Sequence, residues 1–196
     1  MADNGRQALI LLGSNKISPL GDVEETVQRA MELLANSATG PAKYSGLYRT
    51  PAFPPGAGPD FVNAAIAFRT PRDAPALLEE LHRIEAAAGR VRTTRWAPRT
   101  LDLDLIALGV QVHPDVETQT TWRDKSPEQQ QSQTPDQLIL PHPRLQDRAF
   151  ALVPLADVAP DWMHPILNRT IAQMLSDRPA AERAEVTPLN HAPENL

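Results

Sequence analysis

A chain of 196 residues, 41% apolar and 22% charged, is long enough to bury a complete core as one domain without staples. With no cysteine it has no disulfide framework, thiolate nucleophile or zinc ribbon. A net charge of −5 argues against nonspecific nucleic-acid binding, which needs a broad basic surface. No apolar run has the length of a signal peptide or a membrane span, so a cytoplasmic location is expected.

Residues 8–12 form an apolar run of strand length ending in the turn-forming Gly13-Ser14-Asn15. This turn lacks the spacing and the lysine of a Walker loop and reads as a structural turn. Over 20–34, Val23, Val27, Ala30, Met31 and Leu34 recur at helical spacing, with Asp22, Glu24 and Glu25 in the first turn, where the helix dipole favours acids.

Two strands are predicted over 43–48 and 61–68. The proline- and glycine-rich connection between them, 50–59, is longer than a hairpin needs, and long loops in compact domains are often functional. Alternation along the second strand puts Phe61 and Asn63 on one face, a ring and an amide suited to a flat heterocycle. An ordinary core phenylalanine beside an asparagine bonded to loop backbone fits the same spacing. Residues 75–88 read as a second helix with Leu77, Leu78, Leu81, Ile84 and Ala88 as its stripe and Gly89 as its stop. His82 and Glu85 lie three apart on it.

The segment 89–109, GRVRTTRWAPRTLDLDLIALG, sets Arg90, Arg92, Arg95 and Arg99 around Trp96 and then enters a predicted strand, 101–108. Guanidinium groups match phosphate oxygens, although arginines after a helix also form plain salt-bridged edges. Asp102 and Asp104 alternate with leucines, so both carboxylates project from one face about 7 Å apart. Desolvated together they would repel; a divalent cation removes that penalty, and oxygen-only ligands favour Mg²⁺ shared with substrate phosphates. Residues 89–98 lack an apolar stripe and are expected to form a flexible lid, in contrast to the rigid strand that follows.

The order strand, helix, strand, strand, helix, strand predicts an α+β fold: a ferredoxin-like βαββαβ core, an antiparallel sheet with helices packed on it, followed by a C-terminal helical extension. Residues 1–178 are expected to form one domain. Within it, 113–137 is a polar, glutamine-rich stretch expected to be an exposed, mobile insertion. Residues 145–155 read as partly helical, 168–175 as a last short helix, and 179–196 as a frayed tail.

The segments LLGSN, YRTPAF, DFVNAA, GRVRTTRWAPRTLDLDL and LPHPRLQDRAFALVPLADVAP resemble the 6-hydroxymethyl-7,8-dihydropterin pyrophosphokinase family over roughly residues 9–160. The resemblance implies transfer of the pyrophosphoryl group of ATP to the pterin hydroxymethyl, with release of AMP and two Mg²⁺ ions, in folate biosynthesis. It implies that Asp102 and Asp104 hold the metals, and that Arg92 and Arg95 close from a catalytic loop. ATP would be met by His82, Glu85, Arg90, Trp96, Arg99, His142 and Arg148. The pterin would be met by Thr50, Pro51, Phe53, Phe61, Asn63 and Phe150. Phe61 stands where some members carry tyrosine, and Gln137 where some carry arginine. The partners implied are these small molecules, with no nucleic acid and no membrane, and a monomer is expected. An Asp-x-Asp strand alone also fits a nucleotidyl or cyclase-type transferase, which would release pyrophosphate; the same strand order also fits an RNA-binding module, for which this chain has few aromatics and the wrong charge.

Overall fold

The computed structural model describes residues 5–52, 56, 58–90 and 98–189. In chain order the elements are β1 (Arg6–Ser14), α1 (Val23–Ala35), β2 (Lys43–Tyr44), β3 (Tyr48–Thr50), β4 (Phe61–Thr70), α2 (Ala74–Ala87) and β5 (Asp102–Leu108). They are followed by α3 (Val116–Arg123), α4 (Pro127–Ser132), α5 (Ala149–Val158), α6 (Ile171–Ser176), α7 (Ala180–Ala184) and β6 (Thr187–Pro188).

The strands form one antiparallel sheet in the order β5-β1-β4-β3-β6, with β2 also paired to β4. β1 is central and almost wholly apolar because both its faces are covered. Ile10 and Leu12 face one core with Val27, Met31 and Leu34 of α1 and Leu77, Leu81 and Ile84 of α2. Leu9 and Leu11 face a second core with Leu152 and Leu155 of α5 and Ile171 and Met174 of α6. Period-two alternation divides the strand between these two interiors.

Local chemistry sets the helix starts. Asp22 accepts from the Glu25 backbone N–H while the Glu25 side chain accepts from that of Asp22, a reciprocal capping box. Asp73 caps α2 by accepting from Ala76 N–H, with a proline in the first turn.

The structure departs from expectation in three places. The strand expected over 43–48 is interrupted: Ala65 N–H donates to the Ser45 hydroxyl at 2.8 Å, replacing a ladder carbonyl, so β2 ends and β3 begins at Tyr48. The stretch 113–137 is not uniformly an exposed insertion. Its first half folds as α3, whose fully buried Gln119 donates to the Pro141 carbonyl at 3.1 Å, while Glu128, Gln129 and Ser132 of α4 are exposed. The tail expected to fray from 179 instead forms α7 and then β6, which pairs with β3 while Leu189 N–H donates to the Leu47 carbonyl at 2.8 Å. Composition hid both, because one buried glutamine and a two-residue edge pairing leave no periodic signal. Residues 190–196 lie outside the described residues.

His164 is fully buried against Trp162, and its Nδ1 accepts from the Ile166 and Leu167 N–H groups at 3.2 Å each. Burial, with the nearby Arg123 charge, pushes its pKa from 6.5 down to about 4. The unfolded chain therefore binds the extra proton first, so the stability His164 contributes is complete above about pH 6.5 and is lost as pH falls towards 4. Replacing it with asparagine, which preserves an acceptor, is expected to lower the melting temperature at pH 7.5 but to shrink the further drop between pH 7.5 and 5. Thermal melts at the two pH values measure this.

Candidate active site

Register places the expected site residues on adjacent strands. Gly13 of β1 lies opposite Asn63 of β4 on one side and Asp102 of β5 on the other, and Asn63 lies opposite Tyr48 of β3. Strand spacing then separates Asn63 from Asp102 by about 10 Å across the sheet. Leu103 and Leu105 join the α1/α2 core, so Asp102 and Asp104 project from the other face, the one that carries α5.

Gly13 is a site position that the strand reading passed over. A Cβ there would come within 2.9 Å of Asn63 Oδ1 and 3.7 Å of the Phe61 ring. Its absence leaves floor space between the amide and the aspartates. An isolated glycine closing an apolar strand was the available sign, since it marks a close approach.

Asn63 is buried and donates to the Thr50 hydroxyl at 2.7 Å, so its partner is a side chain of β3 rather than loop backbone. Phe61 and Phe150 are half-buried. The guanidinium of Arg148 lies 5.4 Å from the Phe150 ring centroid, a cation–π contact. Thr50 and Pro51 adjoin this end of the sheet; Phe53 lies outside the described residues.

Around the aspartates, Arg90 bridges Glu85 and Asp102 and also donates to the Leu101 carbonyl at 3.1 Å, while Arg99 pairs with the second oxygen of Asp102. Glu85 is buried where β5 forms the edge of the sheet: its carboxylate accepts the outward Leu103 N–H at 2.9 Å, which no described strand receives. Burial would lower the Arg90 pKa, but Asp102 and Glu85 more than offset it and hold the guanidinium above its ordinary value. Asp104 is pushed up to about 6 by burial and by the Asp102 charge, partly opposed by Arg148 and Arg99. Three cations, Arg90, Arg99 and Arg148, thus face three carboxylates, Glu85, Asp102 and Asp104. Arg144 adds a further positive charge that is felt at Arg148.

The Gly-Ser-Asn turn joins this cluster to the loops. Asn15 Oδ1 accepts from Arg99 N–H at 2.8 Å, its backbone N–H donates to the Arg99 carbonyl at 3.1 Å, and its Nδ2 donates to the Pro59 carbonyl at 3.0 Å. Ser14 donates to the Thr100 carbonyl at 2.7 Å. The turn is structural, as its spacing suggested, and what it structures is the approach to both aspartates.

His142 N–H donates to the outer carbonyl of Ile106 at 2.8 Å, which places the LPHPR segment along the free edge of β5. Burial, then Arg148 and Arg144, pushes the His142 pKa down to about 3, and its Nδ1 accepts from Arg144 N–H at 3.2 Å. The ring is therefore neutral with its proton on Nε2, a donor set among arginines and suited to an anion. Burial, then Arg144, lowers Arg148 to about 10, still a cation at neutral pH.

Not every expected residue joins the cluster. His82 stays exposed on α2, while Glu85, three residues on, is buried. Arg92, Arg95 and Trp96, and with them most of the expected lid, lie outside the described residues. Among the described residues no three His, Cys, Asp or Glu side chains form a self-sufficient metal cage, so a metal on the two aspartates must take its other ligands from elsewhere. A shallow cleft lined by Asp22, Glu24, Arg49 and Asp60 sits by the start of α1 and contains none of the expected residues.

Residues 9–160 match the family described as 7,8-dihydro-6-hydroxymethylpterin-pyrophosphokinase (HPPK). The chain is 37% identical over 169 residues to the 2-amino-4-hydroxy-6-hydroxymethyldihydropteridine pyrophosphokinase of Synechocystis sp., covering 86% of this chain and 74% of the relative. It is 36% identical over 183 residues to that of Methylorubrum extorquens, covering 91% and 99%. Among solved structures, wild-type Plasmodium falciparum HPPK-DHPS shares the fold with a TM-score of 0.57 at 14% identity; the match covers 87% of this chain and 44% of that one.

Glu85→Ala should leave the Leu103 N–H and part of the Arg90 charge uncompensated in a buried place, a loss of about 2–4 kcal/mol in stability. Glu85→Gln, which keeps the acceptor for Leu103, should lose less. Denaturant unfolding of the two variants decides between them; equal losses would show that the acceptor contributes nothing.

Proposed function

The chain belongs to the 7,8-dihydro-6-hydroxymethylpterin-pyrophosphokinase family, and from that premise we propose how its own residues divide the reaction. The activity is ATP-dependent transfer of pyrophosphate to 6-hydroxymethyl-7,8-dihydropterin in folate biosynthesis. The bond that forms joins the hydroxymethyl oxygen to the β-phosphorus. The bond that breaks lies between that phosphorus and the oxygen bridging to the α-phosphate, so AMP leaves and the hydroxyl proton goes to solvent. Such a transfer asks the protein for alignment and charge compensation rather than covalent help.

The observation that carries the residue assignment is the single row of Asn63, Gly13 and Asp102 across three neighbouring strands. It supports a pterin held at the β4 end, its edge read by Asn63 and its ring stacked between Phe61 and Phe150, with Thr50, Pro51 and Phe53 at the rim. The hydroxymethyl group would then point along the row towards the aspartates. Asn63 meets the ring already oriented, because Thr50 accepts one of its N–H groups.

Asp102 and Asp104 fit Mg²⁺: both are oxygen donors on one face, and Asp102 is already compensated by two guanidinium groups where a cation would sit. When bound, two Mg²⁺ ions would neutralise the transferring phosphates and acidify the pterin hydroxyl. We assign the triphosphate to Arg99, Arg148 and neutral His142 along the β5 edge, with Arg92, Arg95 and Trp96 closing from the loop. Arg144, whose charge is felt at both His142 and Arg148, adds to the positive charge along this edge, as the metal and these loop arginines would. Arg90 and Glu85 then act from below, holding Asp102, and His82 reaches the nucleotide only from the helix surface.

The strand order β5-β1-β4-β3, with α1 and α2 on one face, supports a ferredoxin-like βαββαβ core extended by the C-terminal helices on the other. We read residues 1–178 as one pyrophosphokinase domain. We read the protein as a monomer, and a cytoplasmic enzyme would have its ATP and Mg²⁺ at hand. Among the described residues no helix is long and apolar enough to cross a membrane.

Incubation with Mg²⁺, ATP and reduced 6-hydroxymethylpterin should release AMP; release of pyrophosphate would instead indicate nucleotidyl transfer. Asp102→Ala and Asp104→Ala should each lower turnover by at least about a thousandfold, with dihydropterin affinity changed by less than about threefold. Chelation of Mg²⁺ should do the same to the wild type. Substantial residual turnover in either variant would remove the metal assignment.

A further inference from the structure

Helix α5 carries the half-buried Phe150 in its first turn and Asp157 near its end. Its sequence, AFALVPLADV, is apolar on every side, and Asp157 is its only charged residue. Ala149, Ala151, Leu152, Pro154, Leu155 and Val158 form its buried side, while Phe150 is half-buried and Asp157 exposed on the other. Hydrocarbon packing selects the inward side but tolerates small rotations, so a directional contact on the outer side can fix the last few degrees.

Asp157 supplies such a contact. Its Oδ2 accepts from the Tyr48 hydroxyl at 2.7 Å and from the Gly46 backbone N–H at 3.1 Å. The Gly46 N–H is available because the strand is interrupted between β2 and β3. Tyr48 in turn lies directly opposite Asn63, and two residues further along β3 Thr50 accepts from the Asn63 amide. Phe150 and Asp157 are seven residues apart, two helical turns, so they share one stripe of α5 with about 10 Å between them along the axis. Fixing Asp157 on β3 therefore fixes the direction in which Phe150 points.

We propose that Tyr48 and Asp157 are positioning residues for the pterin site: their hydrogen bond sets the rotation of α5, and with it the register of the Phe150 ring against Phe61 and Asn63. Neither residue touches substrate. This rests on the functional reading above, because it concerns the pterin half of that same site. His142 and Arg99 act on the nucleotide from the β5 edge, held there by bonds independent of Asp157, while Arg148 alone of the described nucleotide residues sits at the start of α5, so the larger effect falls on the dihydropterin.

The Tyr48 hydroxyl is pushed up to about 12 by burial and then by its bond to the Asp157 carboxylate, so it remains a donor throughout the working range of the enzyme.

The test is steady-state kinetics of AMP release with each substrate varied in turn. Tyr48→Phe and Asp157→Ala should each raise KM for the dihydropterin about five- to tenfold, with KM for ATP and kcat within about twofold of wild type. The double variant should be no worse than Asp157→Ala. Asp157→Asn keeps an acceptor oxygen and should restore most of the dihydropterin KM, which a general loss of stability would not do. If Asp157→Ala does not fold, Tyr48→Phe, which removes one hydroxyl, carries the test. An unchanged dihydropterin KM in a folded variant, or parallel rises in both KM values, would overturn the proposal. A wild type that releases no AMP would overturn the functional reading along with it, whereas an active wild type with unaffected variants overturns the positioning role alone.

Discussion

Asp102 sits where a sheet edge, a helix and a loop meet, and the double clamp on its carboxylate by Arg90 and Arg99 is the interaction on which the architecture of the site depends. An ionised carboxylate beside a second one at Asp104, with leucines between, could not persist there without nearby cations. Arg90 ties Asp102 to Glu85, and Glu85 in turn satisfies the free edge of β5 at Leu103. Arg99 ties it to the Asn15 turn and through that to Pro59. One charge-compensation problem therefore links α2, β5, the first turn and the long loop before β4.

The two faces of the sheet carry different duties. Helices α1 and α2 and the face they cover form an apolar interior. On the other face, α5 covers only part of the sheet, and beyond it Asn63, Gly13 and the two aspartates occupy the end that the helix leaves open. In the proposed assignment, recognition of the flat ring and of the phosphates would share one surface but rest on separate supports, β3 and β4 for the ring and the β5 edge for the phosphates.

Much of this was legible in the sequence, for reasons that differ by residue. The alternation of Leu101 to Leu105 with Asp102 and Asp104 announces its own geometry, because period two places the carboxylates without reference to the rest of the chain. Helices α1 and α2 declared themselves by their apolar stripes, whereas α3, α4 and α7 lay in stretches without one. Asn63 was ambiguous because its partner, Thr50, is a neighbour only through strand pairing, which no local pattern encodes. The same is true of the pairing of Gly13 with Asn63 and Asp102, and of Gln119, whose single buried bond to Pro141 sits inside an otherwise polar, glutamine-rich run. His82 and Glu85 looked equivalent at spacing three, yet only Glu85 turns inward to the unpaired Leu103 N–H. The β6 strand was invisible because two residues carry no periodicity.

The central place of β1 has a kinetic side. Leu11 pairs with Asp104, a separation of 104 − 11 = 93 residues, and Gly13 with Asn63, a separation of 50. Contacts this distant along the chain are slow to close, because a large loop must be ordered before the pairing repays it. The inner pairing of β1 with β4 can form while β5 is still free, and such an intermediate would already hold Asn63 beside Gly13 but have no fixed place for either aspartate. The proposed ring site would be unfinished there too, because Phe150 waits for α5 to dock on the sheet, so both halves of the proposed site are completed late along the folding route.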